Sequence, residues 1–489
     1  MREKSVAFDH DGAFPSIFSI RMDRSRGLFR KNYAAGAIRW VETHSITVTG
    51  FRRRDVNTSM VLSFDASKHR QHSQVQVKMS DTPTVAASQD SKLAPMPACS
   101  LETIPLPIHT SSATLTDGGE DTTESHRVWP LMISCYQLNP ETGTRSGYME
   151  FQTIAVQDSV QLQKENEAHV ILQPDSTSGI LDGKWTSLSQ TNQFQFATAH
   201  STGEIRVHAY HPWEDVNNPS TCPIQFATQT PETEDGALCL AVNWNQKVCS
   251  TSSTQLNPPQ QHQHQIVSTY SNGMARIHNV HTTESGQITL EESHTWAAHT
   301  LFGCPAEVWS ADFVGEDHDL VVTCADDTKL KFWNVNQQPS TPVLTVETIF
   351  SAGTTCAAQH PRQPHAVLCG SYDETLALYD VRYLSAKPLL HIPAVGGGIW
   401  RIKWHPLDSE CVLVGAMHGG CRVIHLSSSS EESSPSETQA TWDSYSISKE
   451  FQEHQSMAYG ADWLVDDNRQ VPDTAVSCSF YDKAVHVWR

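Results

Sequence analysis

No stretch of this 489-residue chain approaches the ~20 consecutive apolar residues that a membrane-spanning helix requires. The opening residues, MREKSVAFDHDGAF, lack the apolar core of a secretory signal. Positive charge is scarce: 34 Lys and Arg stand against 54 Asp and Glu, a formal net charge of −20. Nucleic-acid binding needs clustered Lys and Arg to neutralise phosphates, so a general nucleic-acid role is excluded. The one dense basic stretch, Arg52–Arg54, reads as a solvated turn. The 12 cysteines show no C-x-x-C pair, which argues against a zinc cluster. Several fall in strand-like runs (Cys239, Cys369, Cys421, Cys478) and read as small buried hydrophobes in a reducing compartment. There is no G-x-S-x-G elbow and no H-E-x-x-H pair. The Gln/His tract containing His262 and His264 has no fixed ligand partners beside it and reads as loop filler. The expectation is a cytoplasmic monomer with no metal, no cofactor and no membrane segment.

What the chain does contain is a repeat. In CGSYDETLALYDVR, Asp373 stands six residues before Tyr379. The spacing recurs in CADDTKLKFWNV (Asp327, Trp333), SFYDKAVHVWR (Asp482, Trp488) and TYSNGMARIHNV (Asn272, His278). Weaker copies carry Thr202, His418 and Arg145 at the marker position. Each copy sets a tight turn before an alternating or apolar run, the pattern of a half-buried strand. The steps from 327 to 373 and from 373 to 418 are 46 and 45 residues. That is close to the roughly 40–45 residues of a four-stranded propeller blade. Seven markers predict an all-β, seven-bladed propeller over residues 101–489. Low-complexity loops are expected near 255–265 and 427–440.

Residues 1–100 show no repeat and are expected to be an N-terminal extension, disordered over Ser67–Ser100, with a hairpin possible in AIRWVETHSITVTGF. The chain stops at Arg489, after the third strand of the last repeat. A closed propeller removes that open edge by pairing it with an N-terminal strand. Leu101–Ile108, LETIPLPI, is the expected donor.

These repeats resemble WD repeats. GGGIWRIKWHP (Gly396–Pro406), MAYGADW (Met457–Trp463), CGSYDETLALYDVR and CSFYDKAVHVWR together resemble the diphthine methylesterase family, a WD-repeat family of diphthamide biosynthesis. The resemblance covers about residues 100–489. For the fold it implies that turn aspartates such as Asp327, Asp373 and Asp482 fasten strands, with Asp327 joined to His299 and Trp333. For function it implies hydrolysis of a methyl ester on modified translation elongation factor 2, whose altered histidine also carries a trimethylammonium. The other reading is a non-catalytic WD adaptor, such as a ubiquitin-ligase substrate receptor.

Ester hydrolysis needs an activated nucleophile, a base and donors for the oxyanion. Attack by water and attack by a side chain such as Ser371 both stay open. Aligning the inner strands puts Trp309, Trp400 and Tyr459 at one position, each four before Phe313, Trp404 and Trp463. At one mouth of the channel such rings would hold a quaternary ammonium by cation–π attraction, or simply pack between blades. Glu307 is the candidate base or ammonium partner, Arg401 the candidate partner of the ester oxygen or the product carboxylate, and the amides of Gly396, Gly397 and Gly398 candidate oxyanion donors. His360 and His405, in His-Pro turns, are expected at the opposite face as structural residues.

Overall fold

In the computed structural model the described residues are 97–103, 108–114, 122–156, 170–172, 178–186, 194–210, 224–245, 263–283, 287–337, 339–429, 441–465 and 473–489, with Lys92–Leu93 and seven short strands between 4 and 79. The chain divides into two units, Met1–Ala87 and Ser88–Arg489. In the first, the expected hairpin is present: Ile38–Trp40 pairs antiparallel with Ser45–Gly50. Arg52–Arg54 and His262 lie outside the described residues.

The second unit is a seven-bladed β-propeller. The inner strands of blades 1 to 7 are Ala98–Thr103, Ile180–Trp185, Cys239–Trp244, Val308–Val314, Thr354–Gln359, Arg401–Trp404 and Ala458–Leu464. Every blade is antiparallel throughout, and each marker residue lies at the turn from second to third strand, except Arg145, which opens the third strand of blade 1. Strand and turn arise together here. Apolar residues alternate into the interfaces between blades, while Asp, Asn and Gly supply the turns.

The core is a ring of such interfaces. Val322, Leu330 and Phe332 of blade 4 meet Val367, Cys369 and Tyr379 of blade 5. Leu464, Val476 and Cys478 of blade 7 meet Leu101, Leu131 and Trp129 of blade 1. The ten described cysteines are free, nine of them buried, including all four expected to be. No helix among the described residues is long and apolar enough to cross a membrane.

Closure corrects two expectations. The outer strand of blade 7 is Lys92–Leu93, paired to Val485 and Ala484, not Leu101–Ile108. Leu101 instead lies in the inner strand of blade 1, paired to Ile133 and fully buried. The propeller therefore begins before residue 101, and Ala98–Ser100 are ordered strand rather than extension. A propeller closed by three strands from one end and one from the other leaves no open edge, and this chain meets that need with a two-residue pairing. The low-complexity loops are also shorter than expected, since Gln263–Tyr270 and Cys421–Ser429 are strands.

The turn network expected at Asp327 is complete. His299 Nδ1 lies 2.9 Å from Asp327 Oδ1, its Nε2 lies 2.7 Å from Thr323 Oγ1, and Trp333 Nε1 donates to the same hydroxyl at 2.9 Å. Asp373 and Asp482 fasten differently. Asp373 accepts from the Ser351 and Thr375 amides, and Asp482 accepts from the Gln455 amide and the Ser479 hydroxyl. Blade 5 carries Cys369 and Tyr379 where blade 4 carries Thr323 and Trp333, so it has no hydroxyl to bridge histidine and indole.

Candidate functional site

Strand direction sets the two mouths. Inner strands begin at the face bearing the marker turns and end at the other. At their start, six of the seven slip register by one residue: between Ala98 and Ser100, Ile180 and Asp182, Cys239 and Ala241, Val308 and Ser310, Thr354 and Cys356, and Ala458 and Gly460. A bulge leaves one residue out of the ladder and re-aims its side chain. In blades 4 and 7 that residue is Trp309 or Tyr459. Trp400 occupies the equivalent place in blade 6, where its amide donates to Gly415 O at 2.8 Å.

The three expected aromatics are brought together. The Trp309 and Trp400 ring centroids are 5.5 Å apart, and those of Trp400 and Tyr459 5.1 Å. Tyr372 joins them, 6.2 Å from Trp309 and 5.9 Å from Trp400. The arc continues through Phe480, 5.6 Å from Tyr459, to Tyr136 at 5.1 Å and Tyr481 at 5.0 Å. Edge-to-face and tilted contacts of this kind favour aromatic clustering beyond area burial alone.

Carboxylates stand beside the arc. Trp309 Nε1 donates to Asp326 Oδ1 at 3.4 Å, and the Asp326 amide donates to Glu307 O at 3.0 Å. Desolvation, then the nearby Asp326 charge, push the Glu307 carboxyl above its ordinary range, while Arg145 pulls the other way. Glu307 thus keeps a proton more readily than a surface glutamate, the property a general base near neutral pH needs.

Asp326, Tyr372 and Tyr481 were missed by the sequence reading. A signal was available: each directly precedes a marker aspartate, Asp327, Asp373 or Asp482. Arg145, already identified as the blade 1 marker, is half-buried and electrostatically coupled to Glu307.

Arg401 is not at this mouth. It follows Trp400 by one residue, and its side chain is only 14% exposed inside the channel, 3.2 Å from Asp182. Around it runs a lattice of opposite charges from blades 1, 2, 6 and 7. Lys184 lies 2.7 Å from Glu102 and 2.8 Å from Asp182, and Lys403 pairs with Glu102 and, at 3.2 Å, with Asp462. Burial raises the Asp182 carboxyl, but Lys184 and Arg401 outweigh it and hold the group at about 2. These pairs hold Arg401 inside the channel rather than at the mouth beside Trp400.

The glycine triplet is explained by close approach. Gly396 has φ +101°, and a Cβ on Gly397 would sit 2.1 Å from Ala416 O. Gly397 and Gly398 are buried, the latter against Tyr372 and Met417. Ser371 is buried as well, its hydroxyl donating to Gly353 O at 3.0 Å. His360 and His405 lie at the other face, as expected. Each Nδ1 accepts from two following amides, and the rings pack on Trp404 and Trp463 at 4.6 and 4.8 Å.

The WD domain, G-beta repeat family matches residues 292–334, the stretch that contains the complete turn network of blade 4. The chain is 28% identical over 321 residues to the diphthine methyltransferase homolog of Dictyostelium discoideum, covering 64% of this chain and 76% of that protein. It is 27% identical over 292 residues to the diphthine methyltransferase of Mus musculus, covering 60% of this chain and 54% of that one. The Homo sapiens protein of the same name matches at 27% over 294 residues, covering 60% and 58%. The aligned region thus spans little more than half the length of the two mammalian proteins. The chain is a seven-bladed β-propeller that carries a WD repeat and is similar in sequence to proteins named diphthine methyltransferase.

Proposed function

We propose that the protein hydrolyses the methyl ester of methylated diphthine on translation elongation factor 2, releasing diphthine and methanol. The observation that carries this reading is one mouth of the propeller where Trp309, Tyr372, Trp400 and Tyr459 cluster beside a carboxylate of raised pKa. Homology to proteins named for a methyl-moving activity on diphthine supports it.

In this reading the trimethylammonium lies across the outer face of the cluster, because the rings already touch one another. Each ring contributes roughly 0.5–2 kcal/mol of cation–π attraction, and the Asp326 side chain stands beside them against Trp309. Glu307 takes a proton from water as the oxygen bonds to the ester carbon. The tetrahedral oxyanion then collapses, the bond to the methoxy oxygen breaks, and Glu307 returns its proton to the leaving methanol. Arg145 is the cation within electrostatic reach of Glu307 and replaces Arg401 as partner of the oxyanion and product carboxylate. Ser371 is occupied in its turn, which favours water as the nucleophile. Such a substrate places the protein in the cytoplasm, and a single copy of the propeller is sufficient for the site.

The test is incubation of the purified protein with elongation factor 2 bearing the methylated intermediate. Loss of one CH2 unit by mass spectrometry supports hydrolysis. Unchanged mass, with a competent substrate control, removes it; unchanged mass with tight binding leaves the adaptor reading in its place.

A further inference from the structure

The segment that delivers Glu307 to the mouth also builds something the proposed chemistry does not use. Between the outer strand of blade 3, ending at Ala297, and the inner strand of blade 4, starting at Val308, lies a small hairpin. Thr300 pairs with Pro305 and Leu301 with Cys304, and the Ala306 amide donates to His299 O at 3.2 Å, closing its base on the turn network. At its tip Phe302 is 98% exposed, with Leu301 beside it at 38%.

Phe302 has φ +53° and Gly303 φ +82°. Two successive residues at positive φ make the hairpin turn that favours Asn-Gly or Gly-Gly. A bulky side chain in the left-handed region is strained, and such strain persists where the residue serves a further purpose. Phe302 therefore opposes local conformation and gains no burial among the described residues. Neither fold stability nor solubility explains a phenylalanine at this position. Burial against another surface does. The hairpin carries no charge from Thr300 to Ala306, and at its base stand the carboxylates of Glu307 and Asp326.

We infer that the Thr300–Pro305 hairpin is a docking finger for the protein substrate. Phe302 enters an apolar pocket on the surface of that protein, next to the cationic side chain that the carboxylates and aromatic arc receive. The occupant follows from charge and position: the finger and the anionic mouth are one continuous segment, so a partner engaging both presents an apolar pocket beside a positive charge. This rests on the proposed function, which supplies the identity of the protein. It adds that recognition extends beyond the modified side chain to the folded partner.

The experiment measures binding of elongation factor 2, in methylated-diphthine and unmodified forms, to the full chain by biolayer interferometry. The parent, Phe302→Ser, Phe302→Asn and Trp400→Ala are compared, each with a thermal melt. Phe302→Ser should weaken both forms about tenfold, as truncation of an interface anchor does, without lowering the melting temperature. Phe302→Asn, which suits the turn, should melt no lower than the parent and bind as weakly as the serine variant. Trp400→Ala should weaken chiefly the modified form. If both Phe302 variants bind within twofold of a parent that binds tightly, the docking finger is wrong and the proposed function stands. If the parent binds neither form and leaves the ester intact, both readings fall.

Discussion

The mouth and the channel of this propeller use the same side chains to opposite effect. In the channel Glu102 and Asp182 are buried, yet Lys184, Lys403 and Arg401 hold both carboxyls below their ordinary range. At the mouth Glu307 is exposed, yet desolvation, and after it the Asp326 charge, raise its carboxyl above the ordinary range against the pull of Arg145. Burial and neighbouring charge compete at each carboxylate: the cations outweigh burial at Glu102 and Asp182, whereas burial outweighs Lys403 at Asp462 and Asp312. The channel lattice joins blades 1, 2, 6 and 7 across the seam where the ring closes, whereas at the mouth Arg145 only partly offsets desolvation and the Asp326 charge at Glu307.

That contrast predicts which substitutions damage the fold and which damage activity. The largest effect is expected in the channel. Lys403→Ala leaves Asp462 buried without its cation, and breaking a buried pair from one side destabilises by about 3–5 kcal/mol. Denaturant titration should show this; a loss below about 1 kcal/mol, the range of exposed pairs, would mean that the lattice is ornamental. At the mouth, Glu307→Gln should reduce turnover ~10²-fold or more, as loss of a general base does. Its effect on stability has the opposite sign. The folded state binds the Glu307 proton more tightly than the unfolded state, so stability falls as pH rises through the raised value, and above it the amide should melt slightly higher than the carboxylate. A variant that melts lower and hydrolyses like the parent would erase the distinction between mouth and channel.

Smaller effects sharpen the same comparison. Trp400→Ala should slow turnover about tenfold, roughly 1.4 kcal/mol, while His405→Ala, at the opposite face, should leave the turnover of folded protein near that of the parent. Equal losses in steady-state assays would place the catalytic centre elsewhere. Asp312 tests the channel itself. Burial pushes its carboxyl from 3.8 to about 7, against the pull of the Gln359 and Phe313 amides and then Lys184 and Lys403. The folded chain holds a proton that the unfolded chain releases, so this residue makes stability decline as pH rises from about 4 to about 7. Asp312→Asn should flatten that decline in melts taken across the range; an unchanged slope would show that Asp312 ionises freely in the channel.

Much of the architecture follows from local sequence. The spacing of Asp327, Asp373 and His418, and the turn residues beside them, determine a propeller of seven blades, because each repeat is one hairpin-linked unit whose apolar faces must be covered by its neighbours. The tetrad of His299, Thr323, Asp327 and Trp333 lies within 35 residues of chain and is readable for that reason. The aromatic trio was found by aligning inner strands, since Trp309, Trp400 and Tyr459 occupy equivalent positions. Other features depend on pairings between residues far apart. Both LETIPLPI and Lys92–Leu93 are short stretches before the first repeat, and only the packing of Leu101 against Leu131 and Ile133 assigns the first three residues of the former to the inside of blade 1. Trp400 and Arg401 are adjacent in sequence, yet one ring joins the mouth and the other side chain enters the channel, because successive residues of a strand point to opposite sides. Which of them lies in the channel was decided by Asp182, 219 residues away, whose charge holds Arg401 inside.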